Sequence, residues 1–400
     1  IIRAVYSSSN GLEKRPKLRF PGFDEPWKKC EFKEFAKVNP KCQSIPEQFY
    51  YIDLGSVEDG ELSNAKIENA LSAPSRAQRL LSCNDVLFQT VRPYQQNNYL
   101  FCKERSLPTV ASTGYAVFRT KYDVPFLYAL IHTGHFLNSV LSRCTGTSFP
   151  AVSASDIEDI LVSIPSLGEQ QKIGELFRLL NSKIRKQKAL IESLKKYKRG
   201  LLHDVLSEKT KITTETWTEH RIGEFLHSKS IKQLPTTDAP LMAFTATGGV
   251  CDKGERYDRG FLVKDASTKL YKRTDLNDFI YSSNNLDVGS IGLNLYGSAV
   301  ISDVYEIFSI KDADPWFISE AIKQKPIMSR ILKYRQGCLY GQYRIYAEDF
   351  LGVFVKIPSY EAQKKIGAVF SKIDGKITQE QILLDCLEKA RNFFLQQLFI

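Results

Sequence analysis

The sequence lacks the short motifs on which nucleotide-using enzymes depend. It has no GxxxxGK[ST] loop, because the nearest string, Gly249 to Gly254, is followed by Glu255 and lacks the phosphate-binding lysine. No GxGxxG string follows a strand-like run, and no tetrapeptide resembles the NPPY motif of amino-methyltransferases. We therefore expect no catalytic residue and no bound cofactor in this chain.

Cysteine pairs and long apolar runs are also missing. The eight cysteines are scattered without a CxxC pair, which predicts reduced, mostly buried thiols in a cytoplasmic protein. No run of eighteen apolar residues occurs, so we expect no membrane-spanning helix. Residues 1–17 lack the order of a signal peptide, and we interpret them as a tail or an expression remnant.

The composition is that of a globular protein with a basic bias. Hydrophobic residues make up 43% and charged residues 25% of 400 residues, enough for two or three domains. The net charge of +10 favours a polyanionic partner such as nucleic acid.

An internal duplication organises the chain. Residues 162–208 recur as residues 355–400, and a shift of 193 positions matches Pro165 with Pro358, Gln170 with Gln363, and Gly174 with Gly367. The start of each copy repeats too, at Trp27 and Trp217, as do the Asn-Asp turns at Asn84 and Asn277, each of which precedes an apolar run. Between these anchors, short β-branched and aromatic runs predict strand-rich mixed domains, with a helix over 124–141 and another over 316–334.

Each copy ends in a long amphipathic helix that begins beyond Pro165 or Pro358. Its apolar residues alternate at three and four positions, which is typical of a coiled-coil seam. The predicted seam residues are Ile173, Phe177, Leu180, Ile184, Ile191, Leu194, Ile366, Phe370, Ile373, Ile377, Leu384 and Leu387. Matching seams predict that the two helices pack on each other, antiparallel if the copies are related by a twofold axis, as a rod of about 60 Å.

Polar clusters between the strands indicate binding chemistry. An arginine can form two hydrogen bonds with guanine, and an asparagine or a glutamine can form two with adenine. Lys and Arg side chains that no neighbour holds in one geometry suit contacts with phosphates. The candidate DNA-binding residues are Arg92, Tyr94, Gln95, Gln96, Asn97, Asn98, Arg143, Thr145, Thr147, Ser148, Lys253, Arg256, Tyr257, Arg259, Lys333, Arg335, Gln336, Tyr340, Gln342, Tyr343 and Arg344. For any single member, a solvated loop side chain is the plainer interpretation.

Two residue sets offer other chemistry. His132 and His135 could ligate a metal, although no third ligand lies nearby in the sequence. Asp24, Glu31 and Lys33 imitate the D…ExK cluster of nucleases, a pattern short enough to arise by chance. We interpret both sets as ordinary polar residues, so no metal site is predicted.

Together the anchors resemble the specificity (S) subunits of type I restriction–modification systems. The resemblance is carried by LRFPGF at 18–23, the paired Asn-Asp turns, IPSLGEQQKI and IPSYEAQKKI with their long helices, and the closing FLQQLFI. The resemblance covers residues 18–400. The chain departs from the family at the turn, where members often carry Gly-Asp and this sequence has Asn-Asp.

The resemblance implies a mixed α+β fold with a pseudo-twofold internal repeat. Two strand-rich target-recognition domains would each precede a long helix, and the two helices would pack as an antiparallel coiled coil. The implied limits are a tail at 1–17, recognition domains at 18–164 and 211–357, and spacer helices at 165–210 and 358–400.

The resemblance also implies a function. Each recognition domain would recognise one half of a bipartite, asymmetric target in double-stranded DNA, and the helices would set the spacing and dock two modification (methyltransferase) subunits. Two restriction (motor nuclease) subunits would complete the bacterial, cytoplasmic enzyme, and those partners would use S-adenosylmethionine, ATP and magnesium. Two alternatives stay open: a stand-alone sequence-specific DNA-binding regulator, and an enzyme that depends on Asp24, Glu31 and Lys33.

Overall fold

The computed structural model describes residues 3–4, 16–41, 44–63, 65–102, 106–207, 209–210, 216–246, 249–252, 269–284, 286–287, 290–337 and 343–400. The chain divides into two compact units, Ile1–Ala189 with Ile382–Ile400, and Leu190–Gln381. Both divisions fall inside long helices, Leu167–Leu206 and Tyr360–Gln397, which we call the first and second long helix. No helix among the described residues combines the length and the apolarity that crossing a bilayer requires.

The first unit is built on two four-stranded sheets. An antiparallel sheet has the order Tyr99–Phe101, Asp85–Gln89, Tyr115–Arg119, Lys37–Val38. The other has the order Lys66–Asn69, Gln48–Ile52, Thr109–Ser112, Ala77–Leu80, with a parallel middle pair. Shorter pairs join Arg3–Ala4 to Leu18–Arg19, Lys28–Glu31 to Leu161–Ile164, and Val57–Glu58 to Glu61–Leu62.

Strand Asp85–Gln89 separates two parts of the first unit's core, because successive side chains of a strand point to opposite faces of the sheet. Val86 and Phe88 pack among helices, whereas Leu87 packs with residues of the second sheet. The short helices are Phe32–Phe35, Val124–Leu130, Gly134–Leu141 and Ala154–Glu158, with a 3-10 turn at Pro93–Gln95.

The second unit repeats this plan with shorter strands. One sheet has the order Leu226–Ser228, Tyr305–Ile310, Phe279–Ser282, Ile291–Leu293, and a smaller one has Lys232–Gln233, Tyr271–Thr274, Ala299–Ile301. Strand pairs join Thr218–Arg221 to Phe354–Ile357, Ala243–Thr245 to Gly249–Cys251, and Gln336–Gly337 to Tyr343–Arg344. Its short helices are Pro315–Ile322, Lys325–Leu332 and Ala347–Leu351, with a 3-10 turn at Ile222–Glu224.

The long helices pack antiparallel, as predicted. In the first unit, Lys188 Nζ lies 3.2 Å from Glu388 Oε1, and in the second unit Lys198 Nζ lies 2.8 Å from Asp374 Oδ2. The later residue of the first long helix therefore pairs with the earlier residue of the second, as antiparallel helices require.

The predicted seam residues all lie at buried or half-buried positions. The buried ones are Ile173, Phe177, Ile184, Ile191, Ile366, Phe370 and Leu384. The half-buried ones are Leu180, Leu194, Ile373, Ile377 and Leu387. Such partial burial is expected of a two-helix pair, which leaves one side of each helix in solvent.

The predicted Asn-Asp turns have the same backbone in both units. Asn84 and Asn277 are left-handed, with φ of 70° and 67°, a conformation that asparagine tolerates better than most residues. The following Asp85 and Asp278 each accept a backbone N–H from three residues earlier, at 2.8 Å and 2.7 Å. The turns are confirmed as the entries to strands Asp85–Gln89 and Phe279–Ser282.

Two local predictions are wrong. Each predicted single helix, over 124–141 and 316–334, is two helices. The break within 124–141 occurs where Thr133 caps helix Gly134–Leu141 by accepting the N–H of Phe136 at 3.3 Å. The described cysteines are half-buried or exposed instead of mostly buried. Cys83 lies in the turn before strand Asp85–Gln89, Cys102 follows strand Tyr99–Phe101, and Cys386 is exposed on the second long helix.

A buried ion pair explains the LRFPGF segment. The Arg19 guanidinium donates from Nε to Glu169 Oε1 and from Nη2 to Glu169 Oε2, both at 2.8 Å, and the two side chains are 5% and 1% exposed. The Trp27 indole also donates to Glu169 Oε2, at 3.2 Å. These bonds fasten the chain entry to the start of the first long helix, because a buried carboxylate requires such partners.

The repeated glutamine fastens each long helix to the strand before it. Gln170 Nε2 donates to the Pro165 carbonyl at 2.9 Å, and Gln363 Nε2 donates to the Pro358 carbonyl at 3.0 Å. Both glutamines are 2% exposed. A buried carbonyl at a strand end needs such a donor, which accounts for glutamine at both places.

The repeated glycine lets a short helix approach the long one. Asp123 caps helix Val124–Leu130 by accepting the Phe126 N–H at 2.8 Å, and a β-carbon at Gly174 would collide with that carboxylate and lie 2.9 Å from Phe126 N. In the second unit, a β-carbon at Gly367 would collide in the same way with the cap Asp314. Burial raises the pKa of both cap carboxyls.

Gly174→Ala should destabilise the first unit. Alanine adds about 1 kcal/mol of helix propensity, but displacing the cap and the backbone behind it costs more, so the net loss should be about 1–3 kcal/mol. Urea unfolding measures this loss. Gly200→Ala is the matched control on the same helix, since nothing lies within 4 Å of its β-carbon, and it should stabilise by ~0.5–1 kcal/mol. Equal effects of the two substitutions would refute the close approach.

Candidate nucleic-acid interface

In both units a hairpin follows the second of two consecutive helices, Gly134–Leu141 in the first unit and Lys325–Leu332 in the second, and meets the end of strand Asp85–Gln89 or Phe279–Ser282. The N–H of Val152 donates to the Thr90 carbonyl at 3.1 Å, and the N–H of Ile345 donates to the Ser283 carbonyl at 2.9 Å. Bridges between Val91 and Ala151, and between Asn284 and Arg344, extend these contacts. Every one of these residues is 193 positions from its counterpart. The junction therefore belongs to the repeated scaffold.

In the first unit this junction brings two of the predicted clusters together. The N–H of Arg92 donates to the Pro150 carbonyl at 2.7 Å, and the Arg92 guanidinium lies 4.4 Å over the Phe149 ring. Phe149 is 63% exposed, so the arginine lies over an uncovered aromatic ring, and Tyr94, two residues further along the loop, is 52% exposed. This combination suits contact with base edges and sugar–phosphate.

The other predicted residues of the first unit differ in accessibility. Tyr94, Gln95, Thr145, Thr147 and Ser148 are exposed, whereas Arg92, Gln96, Asn97 and Arg143 are half-buried. Arg143 Nη1 donates to the Ser139 carbonyl at 2.7 Å, which holds it against its own helix. Asn98 is 1% exposed.

In the second unit the same junction carries a different set. Lys333, Arg335, Gln336 and Tyr343 are exposed and Arg344 is half-buried. Strands Gln336–Gly337 and Tyr343–Arg344 pair, so these side chains share one hairpin. The predicted residues Lys253, Arg256, Tyr257, Arg259, Tyr340 and Gln342 lie outside the described residues.

Each arginine of this second hairpin lies over a tyrosine ring and near a carboxylate, and Arg335 Nε also donates to the Leu332 carbonyl at 3.1 Å. The Arg335 guanidinium lies 5.3 Å over the Tyr343 ring and 3.4 Å from Asp287 Oδ2. The Arg344 guanidinium lies 5.0 Å over the Tyr346 ring and 3.6 Å from Glu306 Oε1. Long, solvent-accessible ion pairs stabilise by roughly 0–1 kcal/mol, so a phosphate or a guanine can replace the carboxylates.

Sequence reasoning found Tyr343, the aromatic partner of Arg335, but missed the partners of Arg92 and Arg344. Phe149 and Tyr346 were not among the predicted residues, although each lies within two positions of one, at Ser148 and Arg344. An aromatic residue beside a polar cluster is the only signal that could have found them. That Arg92 lies over Phe149, 57 positions away in the sequence, is decided by the fold alone.

The nuclease-like set is used for local structure. Lys33 Nζ lies 2.6 Å from Glu31 Oε2 and 3.1 Å from Asp159 Oδ1, on the surface. The N–H of Glu31 donates to Glu34 Oε1 at 3.1 Å, which caps helix Phe32–Phe35. Among the residues described, no three His, Cys, Asp or Glu side chains form a group that could hold a metal ion.

His132 faces a buried amide. Its Nδ1 lies 2.6 Å from the Tyr128 carbonyl oxygen, which can only accept, so Nδ1 carries the proton. Its Nε2 is then the acceptor for Asn98 Nδ2, at 3.3 Å. Burial, with a smaller contribution from the nearby Arg391, lowers the pKa of His132 to about 4, although the bond to the Tyr128 carbonyl acts in the opposite direction. The ring is therefore neutral at pH 7 and both of its nitrogens are used.

Comparison with known proteins agrees with the predicted family. Residues 25–196 match the family model of the Type I restriction modification DNA specificity domain. The chain is similar to the type I restriction enzyme HindI specificity subunit of Haemophilus influenzae, with 24% identity over 157 residues. That match covers 38% of this chain and 34% of the relative, so it spans about a third of the relative's length.

Solved structures share the fold. The crystal structure of the type I restriction–modification S subunit from M. genitalium matches with a TM-score of 0.65 at 14% identity, over 97% of this chain and 99% of that one. A chain from work on complex assembly and conformational transition of the type I R-M system matches with a TM-score of 0.50 at 18% identity, over 94% and 98%. The predicted mixed α/β fold with paired long helices, and the resemblance to specificity subunits, are confirmed.

The neutral His132 should make the first unit sensitive to acid. Above pH 6.5 both folded and unfolded chains hold it uncharged; as the pH falls towards 4 only the unfolded chain takes up the proton, so stability falls, by at most ~3 kcal/mol. Urea unfolding of the wild type and of His132→Gln between pH 7 and 5 should show a steeper loss in the wild type. His135→Gln, at an exposed position, should keep the wild-type slope. Identical slopes in all three proteins would contradict the assignment.

Proposed function

We propose that this chain, whose residues 25–196 match the family model of the Type I restriction modification DNA specificity domain, is the sequence-specific DNA-recognition subunit of a type I restriction–modification complex. Each unit recognises one half of a bipartite, asymmetric DNA target. The observation that carries the proposal is the hairpin junction, which occurs at equivalent positions in both units and presents different side chains in each.

The chemistry of the two junctions supports different half-sites. The first offers Arg92 with exposed amides, hydroxyls and two aromatic rings, while the second offers Arg335 and Arg344 with tyrosines. Guanine presents two acceptors to an arginine and adenine an acceptor and a donor to an amide, so the two sets favour different bases. The net charge of +10 supports attraction to DNA before any base is contacted.

The long helices suit a spacing and docking role. A helix of 40 residues is about 60 Å long, comparable to roughly eighteen base pairs of B-DNA, so it can separate two half-sites by a turn. In this proposal the helices also dock two methyltransferase subunits, with two motor nuclease subunits completing the enzyme in the bacterial cytoplasm. The chain itself performs no catalysis and binds no cofactor; its partners use S-adenosylmethionine, ATP and magnesium.

Exchanging one recognition domain should change one half of the target. We expect the complex of this chain with its modification subunit to methylate adenine within a single bipartite motif, found by sequencing genomic DNA for methyladenine. Replacing residues 30–160 by those of a related subunit should alter one half of that motif and leave the other half and the gap unchanged. Methylation of the original motif after the exchange would sink the proposal. Specific DNA binding by the isolated chain, without any effect on methylation, would favour a stand-alone regulator.

Reversing charges on the second hairpin should weaken one half-site. The double variant Arg335→Glu with Arg344→Glu should lose about 30-fold or more in affinity, through two base or phosphate contacts worth ~1–3 kcal/mol each. A filter-binding titration over several salt concentrations should also give a shallower salt dependence. Lys325→Glu with Arg330→Glu is the charge-matched control on the preceding helix and should have a smaller effect. An unchanged motif and affinity in the hairpin variant would count against this surface.

A further inference from the structure

The loop of residues 91–97 in the first unit has an unfavourable backbone. Arg92 and Gln96 are left-handed, with φ/ψ of 54°/54° and 54°/30°, and they flank the 3-10 turn Pro93–Gln95. Neither is glycine, asparagine or aspartate, the residues that adopt this region most easily. Something in the surroundings must therefore hold the loop in this conformation.

Gln89 holds the loop from beneath. Its side chain is 2% exposed, and its Nε2 donates to the Val91 carbonyl and to Gln95 Oε1, both at 2.8 Å. Its Oε1 accepts the N–H of Asn97 at 3.2 Å. A single buried amide thus bonds to the loop at its beginning, middle and end.

Asn98 and His132 complete the support. Asn98 Oδ1 accepts the backbone N–H of Gln89 at 2.9 Å, and its Nδ2 donates to His132 Nε2. The Tyr128 hydroxyl donates to the Asn98 carbonyl at 3.1 Å, and the Tyr128 and His132 ring centroids are 4.6 Å apart. Each side-chain donor and acceptor in this series has a partner, which is the condition under which a buried polar network fixes one conformation.

We propose that Gln89, Asn98 and His132 are positioning residues for recognition of the first half-site. They do not touch DNA; they hold Arg92 and its neighbours in the conformation that binds it. The inference rests on the proposed function and gives Asn98 a supporting role in place of the predicted base contact. A loop held in its binding conformation loses less entropy on association, so the network raises affinity without adding a contact.

In the described part of the second unit, the side chain that replaces Gln89 makes only one of its three bonds, which makes the effect local. The counterpart of Gln89 is Ser282, whose hydroxyl donates at 2.9 Å to the carbonyl of Asn284, the counterpart of Val91. The counterpart of His132, 191 positions on, is Lys323, which pairs with Glu320. A defect in the network should therefore impair one half-site only, and the other half-site serves as an internal control in the same molecule.

The test measures binding of the complete complex to DNA duplexes that carry the motif it methylates. Base changes are placed in one half of the motif or in the other. Gln89→Leu removes all three bonds while nearly keeping volume, and it should weaken binding to the intact site about 10-fold or more. Base changes in the first half-site should then cost little further, while changes in the second half-site should cost as much as in the wild type.

A second substitution separates positioning from contact. Gln96→Gly suits the left-handed backbone without help, so Gln89→Leu should cost several-fold less affinity in the Gln96→Gly protein than in the wild type, and measuring both backgrounds cancels any contact that Gln96 itself makes. Such non-additivity is expected only if Gln89 acts through the loop. A melting temperature for each variant shows whether the chain is folded.

Three results would overturn the inference. They are unchanged affinity in Gln89→Leu, equal weakening at both half-sites, and an equal cost of Gln89→Leu in the wild type and in the Gln96→Gly protein. A wild-type complex that binds every duplex equally would instead overturn the proposed function, and this inference with it.

Discussion

The close approach of a capping carboxylate to a helix glycine is the contact on which each unit depends. Asp123 against Gly174, and Asp314 against Gly367, bring a short helix of the recognition domain onto the long helix with no β-carbon between them. Any side chain there would push the domain away from the helix that carries it. The orientation of each recognition surface relative to its own segment of long helix is fixed at this point.

The hairpin junction combines a repeated backbone with different side chains in the two units. The backbone bonds that join hairpin and strand are equivalent in the two units, but the side chains above them are not. Arg92 lies over Phe149 on a loop supported by buried amides, whereas Arg335 and Arg344 lie over tyrosines beside carboxylates at more than 3 Å. One scaffold therefore carries two candidate surfaces that differ in their side-chain chemistry.

Much of the fold could be predicted because it is encoded by periodicity and repetition. The long helices, the Asn84 and Asn277 turns and the strands after them follow from local patterns, and the structure has them. The single helix predicted over 124–141 was wrong because a capping threonine outweighed continuous apolar spacing. The candidate site could be predicted only as residue types in loops; where Phe149 and Gln89 lie relative to Arg92 depends on contacts between distant segments.

The sequence by itself determined the duplication, the helix pair and its seam, since period and repeat are properties of the chain alone. It also determined which polar residues are available for binding. Only the tertiary structure decided that residues 91–98 and 143–151 meet, and that Asn98 faces inward to His132 while Tyr94 faces solvent. Neighbouring loop residues differ in this way because a loop has no fixed period, so the direction of each side chain is set by what the rest of the fold places beneath it.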